Sequence, residues 1–370
     1  MKVAWDARVL VNGSLRGMGT YALHLLPALT QCRPDLEFVL FHDEGTHPLP
    51  LHGFVAKKIG PARGYRWQLW EQLGLPLHAS LNGCDLLHSP ANTTPPRSTL
   101  PRVVTLHDAM PFHSWNQDAS PLPYFRRTQR RAVASADAII TDSDYSKSDI
   151  CSLLDVPPAK VTVVPLAPSP EVRPPDATVR RKILDELRIE GRFVLGLAAT
   201  AKRKNTSGIL RAFAAVMTDC DDVSLVLTGV GSDLRGRLST EMQSLRLPES
   251  RVKFLTFVSP EQLAALYAEC SAFCFLSLYE GFGLPILDAM QCGAPVICSA
   301  RTSCPEVAGD AALIVDPEAV DEVAHALRSV LNRAGDEQVL WRNRGYAQAA
   351  GFTWSKTASL TAQVYDSVIL

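Results

Sequence analysis

Two carboxylates flank a glycine-rich turn in the stretch Glu280–Asp288, which reads EGFGLPILD. Gly281 and Gly283 permit a tight turn and let a ligand approach bare backbone. Pro285 suits the first turn of a helix, whose free amides and partial positive charge attract a diphosphate. The spacing alone supports two interpretations equally. One is a phosphate-binding turn with two ligand-directed carboxylates, and the other is a strand–turn–helix connection with a solvated Glu and Asp.

A basic cluster, Lys202–Asn205 (KRKN), stands upstream between a predicted strand and a predicted helix. Lys204 and Arg203 are the kind of fixed cations that lower the barrier for departure of a diphosphate, because negative charge grows on that group in the transition state. Taken alone, such a cluster is more typical of a solvated loop. Its place at the carboxyl end of a strand also allows a binding site.

Two short motifs in the first half of the chain also follow predicted strands. Arg16–Tyr21 (RGMGTY) carries Gly17 and Gly19, which would bring backbone amides close to phosphates or to an acceptor. A lone G-x-G is also an ordinary turn. Thr105–Asp108 (TLHD) ends an apolar run and places His107 at a strand end. A hydrogen-bonded histidine with no ligand is the alternative there.

These motifs need a scaffold, and the hydrophobic pattern predicts one. Short β-branched runs alternate with longer helical patterns, which is typical of parallel sheets with helices on both faces. The predicted strands are Lys2–Trp5, Glu37–Phe41, Phe54–Ile59, Leu86–His88, Val103–Leu106, Ala138–Thr141, Val161–Val164, Phe193–Leu197, Ser224–Leu227, Val252–Leu255, Ala272–Leu276, Pro295–Cys298 and Ala312–Val315. The predicted helices are Thr20–Gln31, Trp67–Ala79, Leu122–Ser135, Ser143–Leu154, Thr206–Met217, Asp233–Ser244, Pro260–Glu269, Leu284–Cys292 and Glu318–Asn332, with further helical patterns near Asp336–Ala350 and Thr353–Ser367.

The proline-rich stretch Pro165–Pro175 interrupts this alternation and predicts a linker. We therefore predict an α/β protein of two doubly wound, Rossmann-like domains, residues 1–170 and 171–350. A C-terminal helical segment, residues 351–370, is open to packing back across them. Ligands of such sheets bind beyond the carboxyl ends of the strands, so the predicted site is a central cleft between two facing domains.

The composition excludes several function classes. The chain has 370 residues, of which 46% are hydrophobic and 20% charged, as in ordinary globular proteins. A formal net charge of −1 gives no reason to expect nucleic-acid binding. The nine cysteines form no C-x-x-C pair, so a zinc site is not predicted. We predict a cytoplasmic protein with reduced thiols, because the sequence shows neither a signal-peptide pattern nor an apolar run long enough to span a bilayer.

The run EGFGLPILDAMQCGAPVICS, followed by Ser303–Pro317 (SCPEVAGDAALIVDP), resembles the donor-binding segment of retaining glycosyltransferases of family 4, which have the GT-B fold. The whole set of motifs is most similar to bacterial mannosyltransferases of polysaccharide assembly. The resemblance implies that Glu280 contacts the donor sugar. Asp288 stands where the family has a second Glu that binds ribose hydroxyls, and an Asp is shorter by one methylene, roughly 1.5 Å.

The same resemblance implies a role for each remaining motif. Lys204 and Arg203 would neutralise the departing β-phosphate, and His107 would lie beside the donor sugar. The residues implied to bind the donor, by backbone or side chain, are Gly17, Gly19, Gly229, Phe257, Val258, Gly281, Phe282, Gly283, Leu284 and Asp288.

The implied substrates are a nucleotide-sugar donor, first of all GDP-mannose, and a glycan or polyprenyl-linked acceptor. UDP-glucose, UDP-N-acetylglucosamine and dTDP-sugars remain open. No cofactor or metal is implied, although Asp142–Asp144 spells a D-x-D triplet. The basic run Arg126–Arg131 is compatible with two interpretations, a solvated helix face or peripheral contact with the inner membrane face. In the second interpretation Trp67 and Trp70, near Arg63 and Arg66, could add to the contact surface. A nucleotide-sugar epimerase and a non-catalytic nucleotide-sugar-binding protein are the alternatives to a transferase.

Overall fold

Two parallel β-sheets organise the chain, each in its own unit. The computed structural model describes residues 1–12, 17–60, 69–113, 122–333 and 335–369. Unit 1 comprises Met1–Leu166 and Thr353–Leu370, and unit 2 comprises Ala167–Phe352. The boundary therefore lies at the start of the proline-rich stretch that predicted a linker.

The sheet of unit 1 has the order β3-β2-β1-β4-β5-β6-β7, with every neighbouring pair parallel. Its strand order reverses between β1 and β4, and a doubly wound sheet binds its ligand at such a switch point. The strands are β1 Lys2–Asp6, β2 Glu37–His42, β3 Val55–Lys58, β4 Leu86–Ser89, β5 Arg102–Thr105, β6 Ala138–Thr141 and β7 Val161–Val163.

Helices connect these strands. They are α1 Arg8–Val11, α2 Met18–Cys32, a π-helical turn Trp70–Gly74 that runs into α3 Leu75–Leu81, α4 Leu122–Ser135 and α5 Asp144–Leu154. The side chain of Ser143 caps α5 by accepting a hydrogen bond from the backbone N–H of Ser146. Of the helix predicted at Trp67–Ala79, the first two residues lie outside the described residues.

The sheet of unit 2 repeats the arrangement with the order β10-β9-β8-β11-β12-β13, again all parallel, and reverses between β8 and β11. Its strands are β8 Arg192–Leu197, β9 Val223–Thr228, β10 Val252–Leu255, β11 Ala272–Phe275, β12 Val296–Ser299 and β13 Ala312–Val315. Its helices are α6 Ala177–Glu186, α7 Thr206–Val216, α8 Ser232–Ser244, α9 Pro260–Glu269, α10 Leu284–Gln291, α11 Cys304–Ala308, α12 Val320–Leu331 and α13 Asp336–Ala350.

The last helix, α14 Trp354–Ile369, returns to unit 1, where it packs along α2. The hydroxyl of Tyr365 lies 2.6 Å from Nδ1 of His88, and Nε2 of His88 lies 2.8 Å from the hydroxyl of Thr105. Burial lowers the pKa of His88 to about 3, so this imidazole is neutral. A buried polar chain thus fixes α14 to β4 and β5.

The predicted α/β architecture is confirmed, and each predicted strand has an observed counterpart within two residues at either end. The pattern did not predict α1, α6 and α11. In α6 only Ile183 is buried, so this helix has no apolar stripe to reveal it. None of the helices within the described residues is long and apolar enough to cross a membrane.

Candidate functional site

The switch point of unit 2 brings together two loops that are far apart in the chain. Lys202–Lys204 forms a single 3-10 turn after β8, and Asn205 then begins α7 with a left-handed φ of 49°. The backbone N–H of Leu278, after β11, donates a 2.6 Å hydrogen bond to the carbonyl of Arg203. The KRKN and EGFG motifs are therefore joined through their backbones.

Three charged side chains meet at this junction. The Nζ of Lys204 lies 2.5 Å from Oε1 of Glu280, and Nη1 of Arg203 lies 3.4 Å from Oε2. Glu280 is buried, whereas the two cationic side chains remain about a quarter exposed. Two cations thus share one carboxylate, which leaves a net positive charge facing solvent and able to receive an anion.

The loop that carries Glu280 is clamped from the neighbouring connection after β12. The hydroxyl of Thr302 accepts a 3.1 Å hydrogen bond from the N–H of Glu280. The hydroxyl of Ser303 lies 3.0 Å from the carbonyl of Glu280 and 2.7 Å from that of Phe282. Neither clamping residue was predicted. Ser303 begins the second family-like segment, whereas Thr302 precedes that segment.

The glycine turn then starts α10. Gly283 is its N-cap, with a φ of 107° that a residue with a Cβ rarely adopts. Phe282 is buried and packs edge-on against Phe352, with the ring centroids 5.9 Å apart. The predicted donor contacts of Phe282, Gly283 and Leu284 would therefore come from backbone amides at this helix start.

Asp288 lies one turn into α10, and its carboxylate faces the segment that begins unit 2. Oδ1 accepts a 2.7 Å hydrogen bond from the N–H of Ser169, and Oδ2 accepts one of 3.2 Å from the hydroxyl of the same residue. The amide of Gln291 adds a third contact at 3.4 Å. Burial raises the pKa of Asp288 to about 7 despite the two bonds from Ser169, which act to lower it.

The other predicted donor-binding residues of unit 2 lie at the same edge of the sheet. Gly229 follows β9 with a φ of 87°, and a Cβ there would lie 2.7 Å from the carbonyl oxygen of Ala198. Packing therefore requires a glycine at this position, whether or not it also contacts a ligand. Beyond β10, Val258 is partly buried and Phe257 is 70% exposed.

In unit 1, His107 follows β5 and is buried. Its Nδ1 lies 2.7 Å from Oδ2 of Asp142, and its Nε2 lies 3.0 Å from the carbonyl oxygen of Pro90. Burial alone would lower the pKa of His107, but these two partners outweigh it, and the pKa lies above its ordinary value. Asp142, the first acid of the D-x-D triplet, is thus the carboxylate partner of His107.

The glycine motif of unit 1 begins α2. Gly17 is the N-cap, with a φ of 54°, and Gly19 is buried in the first turn; Arg16 lies outside the described residues. Tyr21, one turn further, sets its ring edge-on to the ring of His107, with centroids 5.0 Å apart. The structure therefore brings the RGMGTY and TLHD motifs together in one unit.

The switch point of unit 1 also holds a charged cluster, in which carboxylates outnumber cations, the reverse of the cluster in unit 2. Arg8 is the first residue of α1, and its Nη2 lies 2.5 Å from Oδ2 of Asp6 and 2.8 Å from Oε2 of Glu71. All three side chains are buried. The hydroxyl of Thr93 donates a further 2.9 Å bond to Glu71. One cation is shared here by two carboxylates, which leaves a net negative charge. Glu71 thus contributes to a buried ion pair beside the first strand of unit 1.

Comparison with known proteins supplies the context for this site. Residues 15–170 match the model "Glycosyltransferase Family 4", and residues 180–348 match "Glycosyl transferases group 1". The chain is 29% identical to O-antigen chain mannosyltransferase B of Escherichia coli, over 95% of this chain and 96% of that protein. It is 30% identical to the uncharacterized glycosyltransferase YqgM of Bacillus subtilis, over 67% of this chain and 68% of that one.

A crystal structure of Anabaena HepE in complex with UDP and glucose has a similar fold. The TM-score is 0.74 and the sequence identity 20%, with 99% of each chain covered. At that identity the likeness shows the fold alone, and the fold agrees with the predicted pair of Rossmann-like domains.

Proposed function

The chain belongs to the glycosyltransferases of the group 1 and family 4 models, and from this we propose that it moves mannose from GDP-mannose to a glycan or polyprenyl-linked acceptor, with retention of the anomeric configuration. The mannosyl part of the proposal comes from the E. coli relative, which is named for mannosyl transfer.

The observation that carries the proposal is the charge balance at the two switch points. In unit 2, Lys204 and Arg203 share the single carboxylate of Glu280. In unit 1, Arg8 is already neutralised by Asp6 and Glu71. A diphosphate carries negative charge, so the first point attracts it and the second repels it. The donor nucleotide is therefore assigned to unit 2 and the acceptor to unit 1.

The proposed chemistry needs only residues of this chain and the two substrates. The bond between the anomeric carbon and the diphosphate breaks, and the acceptor oxygen forms the new bond on the same face of the sugar. The departing phosphate takes the proton of the acceptor hydroxyl. Lys204, Arg203 and the amides at the start of α10 stabilise the charge on the diphosphate, and Glu280 orients the cations and the sugar. The proposal invokes no metal or cofactor.

His107 is proposed to contribute a fixed positive charge rather than a proton. Both of its ring nitrogens face acceptors, Asp142 and the Pro90 carbonyl. A general base needs a free lone pair, and this ring offers none in its described geometry. Peripheral contact with the inner face of the membrane is also part of the proposal, because a polyprenyl-linked acceptor lies there.

The proposal is tested by transfer assays on purified protein with GDP-mannose and a mannosylated acceptor, with the anomeric configuration of the product read by NMR. Lys204→Ala and Glu280→Ala should each lower kcat at least 100-fold. Lys182→Ala is the matched control, because Lys182 is an exposed lysine of unit 2 that pairs only loosely with Glu186, at 3.8 Å. If both site variants transfer sugar at the wild-type rate, the assignment is wrong.

Two further outcomes would redirect the proposal. Isomerised sugar formed from the donor alone would favour an epimerase. Tight nucleotide binding without transfer to any acceptor would favour a binding protein. A screen of GDP-, UDP- and dTDP-sugars for raised melting temperature identifies the donor independently of turnover, because a ligand that binds only the native state raises it.

A further inference from the structure

Four leucines form an exposed row along the helical segment 69–81 of unit 1. Leu69, Leu73, Leu77 and Leu81 recur every four residues, and each is between 57% and 73% exposed. The opposite side of the same segment buries Trp70, Leu75 and Ala79 against the sheet. The segment is therefore apolar on both sides, although only one side has a protein partner among the described residues. We call the exposed row the leucine ridge.

The surface of this segment carries no acidic charge. The only charged residue between positions 69 and 81 is Glu71, and its carboxylate is buried against Arg8. The edge strand β3 lies beside it, because Ile59, which follows β3, accepts a 3.1 Å hydrogen bond from the indole of Trp70. That strand exposes Lys57, whose register partner Phe41 packs in the same core cluster as Trp70. The neighbouring Lys58 alternates to the other face and pairs with Glu44, so the charge that β3 adds on the face of the leucine ridge is the positive charge of Lys57.

A second set of cations lies on the same face of the sheet. Ala4 and Leu87, which pack against the segment 69–81, are register partners. Leu87 is in turn the register partner of Arg102. Side chains two residues apart on a strand point to the same face of the sheet, so Val104 lies on the face that Leu87 occupies. Val104 packs against α4. The leucine ridge and α4 therefore belong to one helical layer of unit 1.

Helix α4 presents bases and one aromatic ring to solvent. Arg127, Arg130 and Arg131 are exposed, Phe125 is 44% exposed, and the segment Leu122–Ser135 contains no acid. Apolar side chains flanked by bases, without acids, are the composition that binds an anionic bilayer surface, where the leucines enter the acyl boundary and the bases meet lipid phosphates.

The size of the leucine ridge distinguishes a bilayer from a second copy of the chain. Its exposed area is on the order of 400 Å², about half of the ~800 Å² per partner that a stable protein interface buries. A symmetric dimer would also oppose the bases of one copy to those of the other. A bilayer needs no such minimum area and supplies the opposite charge.

We propose that the leucine ridge and the bases of α4 dock unit 1 on an anionic lipid surface. This inference deepens the proposed function, because it gives a lipid-linked acceptor a surface on which to be met. It assigns the contact to the exposed leucines in addition to the Arg126–Arg131 run that the sequence suggested. The suggestion that Trp70 joins this surface was wrong, because its side chain is buried.

The test is flotation of the full chain with vesicles of phosphatidylglycerol and phosphatidylethanolamine, and separately with phosphatidylcholine alone. The wild type should bind the anionic vesicles, and binding should weaken in high salt. Leu73→Glu/Leu77→Glu should reduce binding roughly tenfold or more. Leu340→Glu is the matched control, because Leu340 is an exposed leucine of α13 in unit 2. All variants should melt at the wild-type temperature, since these side chains are largely exposed.

The proposal is overturned if the wild type binds no vesicles, or if the double variant binds as well as the wild type. A wild-type dimer that the double variant converts to monomer would identify the leucine ridge as a contact between copies instead. Flotation requires no turnover, so its result is independent of the donor and acceptor assignments. Sugar transfer to a water-soluble acceptor should be unchanged in the double variant, and a loss there would also contradict a docking role.

Discussion

The imidazole of His107 and the carboxylate of Asp142 form a buried, charged pair, with Nδ1 and Oδ2 2.7 Å apart. The contact of the second ring nitrogen shows that the imidazole is positively charged. Nε2 faces the carbonyl oxygen of Pro90, which can only accept, so both nitrogens must carry a proton. The other ionisable groups around the ring are Asp108, which favours the charged form, and His88 and Tyr21, which are both neutral.

Replacing Asp142 should remove that charge. We expect the pKa of His107 to fall in Asp142→Asn, because burial then acts without the opposing carboxylate. In the wild type the raised pKa contributes stability that is fully present below about pH 6.5 and is lost as the pH rises through the folded-state pKa. The variant should therefore lose on the order of 3 kcal/mol at pH 6 and less at pH 9. Urea unfolding at both pH values and an NMR titration of the His107 ring measure this.

Asp149→Asn is the control for activity, because Asp149 makes a similar 2.7 Å contact with His113 in unit 1. It should leave sugar transfer intact, whereas Asp142→Asn should move the basic limb of the pH–rate profile to lower pH. An unchanged profile in Asp142→Asn would mean that the charge of His107 has no part in transfer.

Glu280→Gln separates binding from catalysis. Without the carboxylate, Lys204 and Arg203 keep their full charge, so a nucleoside diphosphate should bind several-fold more tightly. Transfer should nevertheless fall about 100-fold, because the cations and the sugar lose their orientation. Calorimetric titration with GDP and single-turnover kinetics measure the two effects.

Glu241→Gln provides the comparison, since Glu241 also lies near an arginine of unit 2, Arg211, at 3.9 Å. Neither GDP binding nor transfer should change in this variant. Weaker GDP binding in Glu280→Gln would show that the carboxylate, rather than the cations, holds the nucleotide.

Gly229→Ala should destabilise unit 2 by at least about 2 kcal/mol, because the new Cβ would meet a backbone carbonyl at 2.7 Å and the φ of 87° is strained for alanine. Gly231→Ala is two residues away, with a φ of −74° and open space around its Cβ position. Its stability should stay within about 1 kcal/mol of the wild type. Urea unfolding of both variants checks the contrast, and equal midpoints would contradict the close approach to Ala198.

Asp288→Asn should make stability less dependent on pH. Burial raises the pKa of Asp288 to about 7, whereas a free Asp has one near 3.9. The stabilising contribution of its neutral form is therefore complete below about pH 4 and lost as the pH rises through 7. Asparagine can keep both contacts to Ser169, so the variant should match the wild type at pH 4 and exceed it at pH 8 by on the order of 3 kcal/mol.

The same variant tests the predicted ribose contact. If Asp288 binds the donor, Asp288→Asn should weaken GDP binding, and Ser169→Ala, which frees one carboxylate oxygen, should not. If GDP binding is unchanged in Asp288→Asn, the carboxylate serves only to hold the segment around Ser169.

The site was only partly visible in the sequence. Lys204, Arg203 and Glu280 were identified from their places after strands of one parallel sheet, whose ends meet at one edge, together with the family-like motifs that contain them. The partners of these residues were not identified. Thr302, Ser303 and Ser169 are small polar residues in loops, and nothing in their spacing states which distant carbonyl or carboxylate they will contact.

What the sequence determined by itself is the order and kind of elements, because the alternation of β-branched runs and amphipathic stretches is a local property of the chain. It also determined which strand ends carry charge. The tertiary structure decided how those charges are shared: two cations to one carboxylate in unit 2, and one cation to two carboxylates in unit 1. It also decided that Asp142 stabilises the protonated ring of His107 and that Asp288 faces Ser169. These depend on distances between side chains remote in sequence, and the energy of a buried charge is set by those distances.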